Sequence, residues 1–168
     1  YKNKNLKGGE PTLKEKKVMK NLLCADQVRL GNVFLAENHK GELVTRRLVG
    51  GTFGTVTKYF TLDENEHLKS NARETIEEVL DGYDILAVST AKFDVKKCVP
   101  VTPEEVEKFK RGDVLLVEVD GDLVYRQIVG GKQFDTTAWF TIDPFTGERK
   151  SKTTYENSDE VAESYDIK

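Results

Sequence analysis

Residues 110–131 read KRGDVLLVEVDGDLVYRQIVGG, and residues 29–51 read RLGNVFLAENHKGELVTRRLVGG. Aligned from Arg29 to Asp63 and from Lys110 to Asp143, with one residue skipped at Lys40, the two stretches share 15 identities in 34 pairs. Agreement at that level marks an internal repeat. Identical pairs include Gly31/Gly112, Val33/Val114, Glu37/Glu118, Gly41/Gly121, Arg46/Arg126, Gly50/Gly130, Gly51/Gly131, Phe60/Phe140 and Asp63/Asp143.

Each copy places two β-rich runs around a polar turn, the pattern of a β-hairpin. Asp120-Gly121 suits a two-residue type I′ turn, and His39-Lys40-Gly41 a three-residue loop with glycine in the left-handed position. The extra residue therefore falls inside the turn, and Phe34 opposite Arg46 matches Leu115 opposite Arg126. Thr55–Leu62 and Thr136–Ile142, rich in β-branched and aromatic residues, read as third strands. Fourth strands are expected at 67–71 and 148–154. Ile76, Val79 and Leu80 form a short helical stripe closed by Asp81-Gly82, and a fifth strand follows at Tyr83–Val88. Tyr165-Asp166-Ile167 is its only counterpart in the second copy. The predicted core comprises Leu35, Val44, Leu48, Phe60, Leu116, Val124, Ile128 and Phe140.

Outside the copies, Thr12 caps an apolar stripe running to about Ala25, with Lys14, Lys17 and Lys20 outward. Before the second copy, Thr102 as N-cap, Pro103 at the first helical position and Glu104-Glu105 in the first turn signal another helix start. The fold predicted is mainly β (α+β): two tandem duplicated small β-barrel-like units, each preceded by a short helix. Residues 1–11 form a flexible basic arm, 12–92 the first unit and 93–168 the second. Tyr1 in place of Met is what a fragment would show.

Composition excludes several functional classes. No apolar run approaches the roughly 18 residues of a membrane-spanning helix, and the polar N-terminus lacks a signal-peptide centre. Cys24 and Cys98 are not equivalent in the two copies, which argues for buried thiols in a reducing cytoplasm over a disulfide framework or metal cage. A formal net charge of −3 names no dominant electrostatic partner, although the first 20 residues carry seven Lys against two Glu. His39 and His67 read as exposed turn residues, the Gly-Gly pairs as strand-ending or bulge glycines, and Asp113, Glu118, Asp120 and Asp122 as an acidic rim. No cofactor is implied, and nothing sets the oligomeric state.

The pattern Gly-Asp-Val-Leu-Leu-Val, a turn with Asp-Gly, then Leu-Val-Tyr-Arg-Gln-Ile resembles the strand pair around the catalytic lysine of LexA-like, signal-peptidase-type serine peptidases. The resemblance covers some twenty residues per copy. It implies a shared β scaffold, with a serine nucleophile upstream and a lysine base in the second strand. Here Arg46 and Arg126 take the lysine's place, and arginine stays protonated. No serine occurs between Tyr1 and His67, and Ser89 alone precedes the second copy in its own half.

Alternation places Arg46 with Val44 and Leu48, and Arg126 with Val124 and Ile128, so each charge sits on an apolar face. Such arginines are either structural or bind a partner. The expectation is a non-enzymatic macromolecule-binding protein, a small bacterial or phage regulatory or inhibitory protein whose partner is another protein. The alternatives are a nucleic-acid-binding module using Lys14, Lys17, Lys20, Arg46 and Arg126, and an inactive peptidase-like relic.

Overall fold

The computed structural model of the chain describes residues 28–89 and 91–168. The basic arm, the helix expected over 12–25 with Lys14, Lys17 and Lys20, and Cys24 all lie outside the described residues.

In the first half, β1 (Val33–Glu37), β2 (Leu43–Phe53), β3 (Val56–Leu62), α1 (Ile76–Leu80) and β4 (Asp84–Ser89) form a four-stranded antiparallel sheet of order β3-β2-β1-β4. In the second, β5 (Val114–Val119), β6 (Asp122–Gln133), β7 (Thr136–Ile142), α2 (Ser158–Glu163) and β8 (Asp166–Ile167) give the order β7-β6-β5-β8. The strand order is the same in both, and so is the hairpin register: Phe34 lies opposite Arg46 and Leu115 opposite Arg126. The turns absorb the one-residue difference as their chemistry requires. Gly41 closes the longer loop at φ 81°, while Asp120 and Gly121, at φ 52° and 87°, make the tight one. Thr75 and Asn157 cap the two short helices by accepting from the amides of Glu78 and Glu160.

Neither sheet closes into a barrel. The outer side of β3 bridges the following segment at Leu62–Leu68 and Tyr59–Arg73, and that of β7 at Ile142–Arg149 and Trp139–Tyr155, so the expected fourth strands are isolated bridges. Each half instead closes on the other. The Gly50 amide donates to the Gly147 carbonyl at 3.0 Å and the Gly50 carbonyl accepts from the Arg149 amide at 2.6 Å. In reciprocal fashion Gly130 donates to Glu66 and accepts from Leu68, both at 3.1 Å. The turn after β3 thus docks on β6, and the turn after β7 docks on β2, as across a local two-fold axis.

The Gly-Gly pairs do not end their strands. They lie buried inside β2 and β6, and a Cβ on Gly50 or Gly130 would run into the carbonyl oxygen of Lys58 or Ala138 on the neighbouring strand of its own sheet. A Cβ on Gly131 would crowd the Arg111 guanidinium at 2.8 Å and the His67 ring at 3.0 Å.

Burial follows the same plan. Val49, Phe60, Leu62 and Leu68 of the first half pack with Val129, Ala138, Phe140 and Ile142 of the second in one shared core. The Phe60 and Phe140 rings lie 4.8 Å apart. Each half has a further cluster under its helix: Phe34, Ala36, Leu48, Val79, Leu80 and Ile85 in one, Leu115, Val117, Ile128, Val161 and Ala162 in the other. Of the predicted core, Leu48, Phe60, Ile128 and Phe140 are buried, whereas Val44, Val124 and Leu116 are half-buried and Leu35 is 39% exposed. For Leu35 and Leu116 the physical reason is that β1 and β5 are apolar on both faces, and the face sharing Phe34 and Leu115 is the one that meets the helix.

Before the second half, the helix start at Thr102 yields a single 3-10 turn, Pro103–Glu105. Val106 is already extended, and the chain leaves to tie Phe109 to α2. There the Phe109 amide donates to Asp159 and the Ser158 hydroxyl to the Phe109 carbonyl. Among the described residues no helix is long and apolar enough to cross a membrane.

Candidate functional site

Opposite residues in an antiparallel pair share a face, so Arg46 rises from β2 on the side of buried Phe34 and Arg126 from β6 on that of buried Leu115. In each, Nη1 donates to the preceding residue's carbonyl, Thr45 at 2.9 Å and Tyr125 at 2.8 Å. In each, Nε is buried with no hydrogen-bond partner. Among the described residues no carboxylate lies within ion-pair distance of either guanidinium.

Around each arginine stands a repeated polar set that the sequence reading missed. The Tyr83 hydroxyl lies 2.9 Å from Thr61 Oγ1, and the Thr61 amide donates to Ser70 Oγ at 2.9 Å. In the second half the Tyr165 hydroxyl lies 2.6 Å from Thr141 Oγ1, and the Thr141 amide donates to Ser151 Oγ at 2.8 Å. Burial pushes the Tyr165 phenol above its ordinary pKa, against the pull of its Thr141 bond and the Arg126 charge. The available signal was the repeated Tyr-Asp pair after each helix, with Thr61/Thr141 identical in the alignment. Ser89, the serine of the peptidase comparison, ends β4 and accepts from the Ala91 amide.

In front of Arg46 lies a cleft of about 490 Å³. Its walls are the β1–β2 turn, the 69–73 segment, the end of α1 through Tyr83, and Gln133-Phe134 from the β6–β7 tip of the other half. The rim alternates in sign: Lys40, Lys69 and Arg73 with Glu42, Glu78 and Asp81, and His39 in its exposed turn. Phe134 is 78% exposed and holds φ at 55°, in the left-handed region that its counterpart Gly54 occupies at 67°. That conformation costs a non-glycine residue about 1–2 kcal/mol. The opposite tip, β2–β3, is pinned: Arg149, 2% exposed, donates to the carbonyls of Gly51, Ser151 and Val56 and lies over the Phe53 ring. Burial lowers the Arg149 pKa.

A second polar cluster sits on the local axis. Arg47 donates to Gln127 Oε1 at 3.2 Å and to the Pro144 carbonyl at 2.6 Å, and its guanidinium is 3.7 Å from the Glu66 carboxylate. Burial lowers the Arg47 pKa against the attraction of Glu66 and Asp143. It raises that of Glu66 against the attraction of Arg47, and Glu66 Oε2 has no hydrogen-bond partner. His67, expected in an exposed turn, is half-buried here because the turn itself docks on Gly130; burial and then the Arg111 and Lys69 charges lower its pKa. This cluster holds the halves together. Tyr59 and its counterpart Trp139 pack against the clusters of their own halves, Trp139 lying under the Arg111 guanidinium at 5.0 Å.

Cys98 is a free thiol. No group of three or more His, Cys, Asp or Glu that could hold a metal ion occurs among the described residues. The arrangement offers recognition chemistry: a fixed guanidinium, a mixed-charge rim and an exposed aromatic. Comparison of the chain with protein-family models, curated proteins and solved structures returns no match.

Proposed function

We propose that the chain is a non-catalytic protein-binding module, a regulator or inhibitor that arose by duplication of one β unit on a LexA-like, signal-peptidase-type scaffold and engages its partner at the Arg46 cleft. The observation that carries this reading is the meeting, in one cleft, of an arginine with a buried, unpartnered Nε and an exposed Phe134 held at positive φ. A permanently protonated guanidinium serves recognition, not proton abstraction. Arginine and aromatic side chains are also the groups in which protein–protein binding energy concentrates. The mixed-sign rim, with Glu42, Glu78 and Asp81 set among Lys40, Lys69 and Arg73, suits the mixed charge of a protein better than a uniformly anionic polyphosphate backbone.

The test is affinity purification from host lysate with the whole protein and its R46M and F134G variants in parallel. A protein retained by the wild type and lost from both variants supports the module. Retention indifferent to both changes overturns it, as does capture of nucleic acid that falls steeply with salt. R46M is expected to stay folded, with stability within about 1 kcal/mol of wild type, because it leaves no carboxylate stranded.

A further inference from the structure

Resting on that binding-module reading, we infer that the Arg46 cleft recognises an extended peptide through one acidic side chain flanked by an apolar one, the carboxylate on the Arg46 guanidinium and the apolar neighbour against Phe134. Three observations converge on this.

The first is the state of the guanidinium. Its Nη1 is tied to the Thr45 carbonyl on its own strand, which orients the group, while Nη2 has no acceptor among the described residues. A carboxylate is the acceptor that best matches an oriented guanidinium with a free donor.

The second is that two of the three acids on the rim already accept hydrogen bonds from their neighbours. Glu42 Oε1 accepts from Asn38 Nδ2 at 3.0 Å, and Glu78 Oε1 accepts from the Thr75 hydroxyl at 3.0 Å while the Glu78 amide completes the α1 cap. Asp81 occupies the C-cap position of the same helix. Lys69 faces Asp63 at 3.8 Å, and Arg73 donates to the Ala72 carbonyl. Arg46 and Arg73 thus bring two positive charges to the cleft with no carboxylate partner among the described residues.

The third is Phe134. A bare anion would gain nothing from an aromatic ring exposed over the cleft, whereas a peptide carries an apolar side chain within a residue of its acid. The volume of about 490 Å³ lies in the range of built ligand sites, roughly 300–1,000 Å³.

Fluorescence anisotropy on the whole protein tests this with fluorescein-labelled peptides in a Gly-Ser frame, their central residues Leu-Glu-Leu, Leu-Gln-Leu or Gly-Glu-Gly. Leu-Glu-Leu is expected to bind about tenfold more tightly than Leu-Gln-Leu, the loss of one charge-assisted bidentate contact. R46M should bring the two to equal affinity, and R46K, which keeps the charge without the fork, should leave an intermediate ratio. F134G, a change to the residue found at the equivalent position 54, should weaken Leu-Glu-Leu toward Gly-Glu-Gly while leaving the Glu-over-Gln ratio intact. Should R46M not fold, R46K carries the test.

Equal affinity for the Glu and Gln peptides, a ratio unmoved in R46K, or binding of Gly-Glu-Gly as tight as Leu-Glu-Leu overturns the inference. So does displacement of the peptide by inorganic phosphate at a lower concentration than by acetate. If a partner is nonetheless captured in an R46M-sensitive way, the binding module stands and only its ligand class is wrong; if no such partner is captured, the module itself fails.

Discussion

Replacing Phe60 by alanine tests whether the two sheets are one cooperative unit. Phe60 belongs to β3, yet its ring lies 4.8 Å from that of Phe140 on β7, and the two are 1% and 0% exposed. Truncating a fully buried phenylalanine costs about 3–5 kcal/mol, of which the ring pair accounts for roughly 0.5–1.5. At this chain length each kcal/mol moves the melting midpoint by about 2–4 °C, so F60A should melt roughly 6–20 °C below wild type. The protein carries its own reporter. Trp139, the only tryptophan, sits in the second sheet opposite Gly130, whereas far-UV circular dichroism averages over both sheets. If the core is shared, a first-sheet substitution must move the Trp139 fluorescence transition as far as the dichroism transition, in a single step. The double replacement F60A/F140A should cost less than the sum of the singles, because the ring contact is lost only once. A Trp139 midpoint that stays in place while dichroism shifts, or two resolved transitions, would refute the shared core.

Three further outcomes are expected. Arg149→Leu, which installs the residue found at the equivalent Leu68, should cost about 1–3 kcal/mol by stripping the donors from the Gly51, Ser151 and Val56 carbonyls, and should raise protease sensitivity at the β2–β3 tip. The Glu66 pKa is raised in the folded state, so the native protein there holds its proton longer than the unfolded chain, and stability conferred below pH 4.5 is lost as pH rises through the folded pKa. Denaturant midpoints from pH 4 to 8 should show that decline in wild type and a flatter profile in E66Q. Gly50→Ala should destabilise by several kcal/mol, about three or more, because strain at φ 138° is joined by collision with the Lys58 carbonyl. Gly41→Ala, at φ 81° but with nothing within 4 Å, should cost only about 1–2 kcal/mol, and equal losses at the two sites would show that the close approach of β3 to Gly50 is misassigned.

What the sequence made legible was the local chemistry. Asp120-Gly121 and His39-Lys40-Gly41 each allow essentially one turn, and once the turns are set the registers follow; hence both hairpins and the Phe34–Arg46 and Leu115–Arg126 pairs were predictable. Ile76, Val79 and Leu80 likewise fixed α1, since Thr75 and Asp81 bound it on either side. What was not legible is set by contacts between distant residues. A strand apolar on both faces, such as Val33-Phe34-Leu35-Ala36, does not declare which face is inward until the helix covering it is placed. Nor does a Gly-Gly pair inside a strand reveal that another turn will dock on it. For the site, the repeated arginines were visible because repetition marks them. The cleft was not, because Phe134 reaches it from the other half and differs from its counterpart, Gly54.

Two of the positions where the halves diverge are ones that a symmetric arrangement would set in conflict. Arg47 and Gln127 are equivalent in sequence and lie in contact at 3.2 Å; two arginines there would place like charges together in a half-buried site, whereas a glutamine oxygen accepts the bond. Glu66 and Gly147 are equivalent by their docking bonds, and a side chain at 147 would strike Gly31 at 2.6 Å, while Glu66 clears Gly112 with its Cγ 3.8 Å from where a Cβ would stand. The same logic separates the tips. Arg149 fastens the β2–β3 tip by its carbonyls, but its counterpart Leu68 lies in the shared core and has no donor to offer the β6–β7 tip. That tip is left to present Phe134 to solvent above the Arg46 cleft. The two halves thereby differ at their tips, with Arg46 facing an open cleft under an exposed aromatic. The binding predictions accordingly fall on Arg46 and Phe134, and the stability predictions on the axis and the pinned tip.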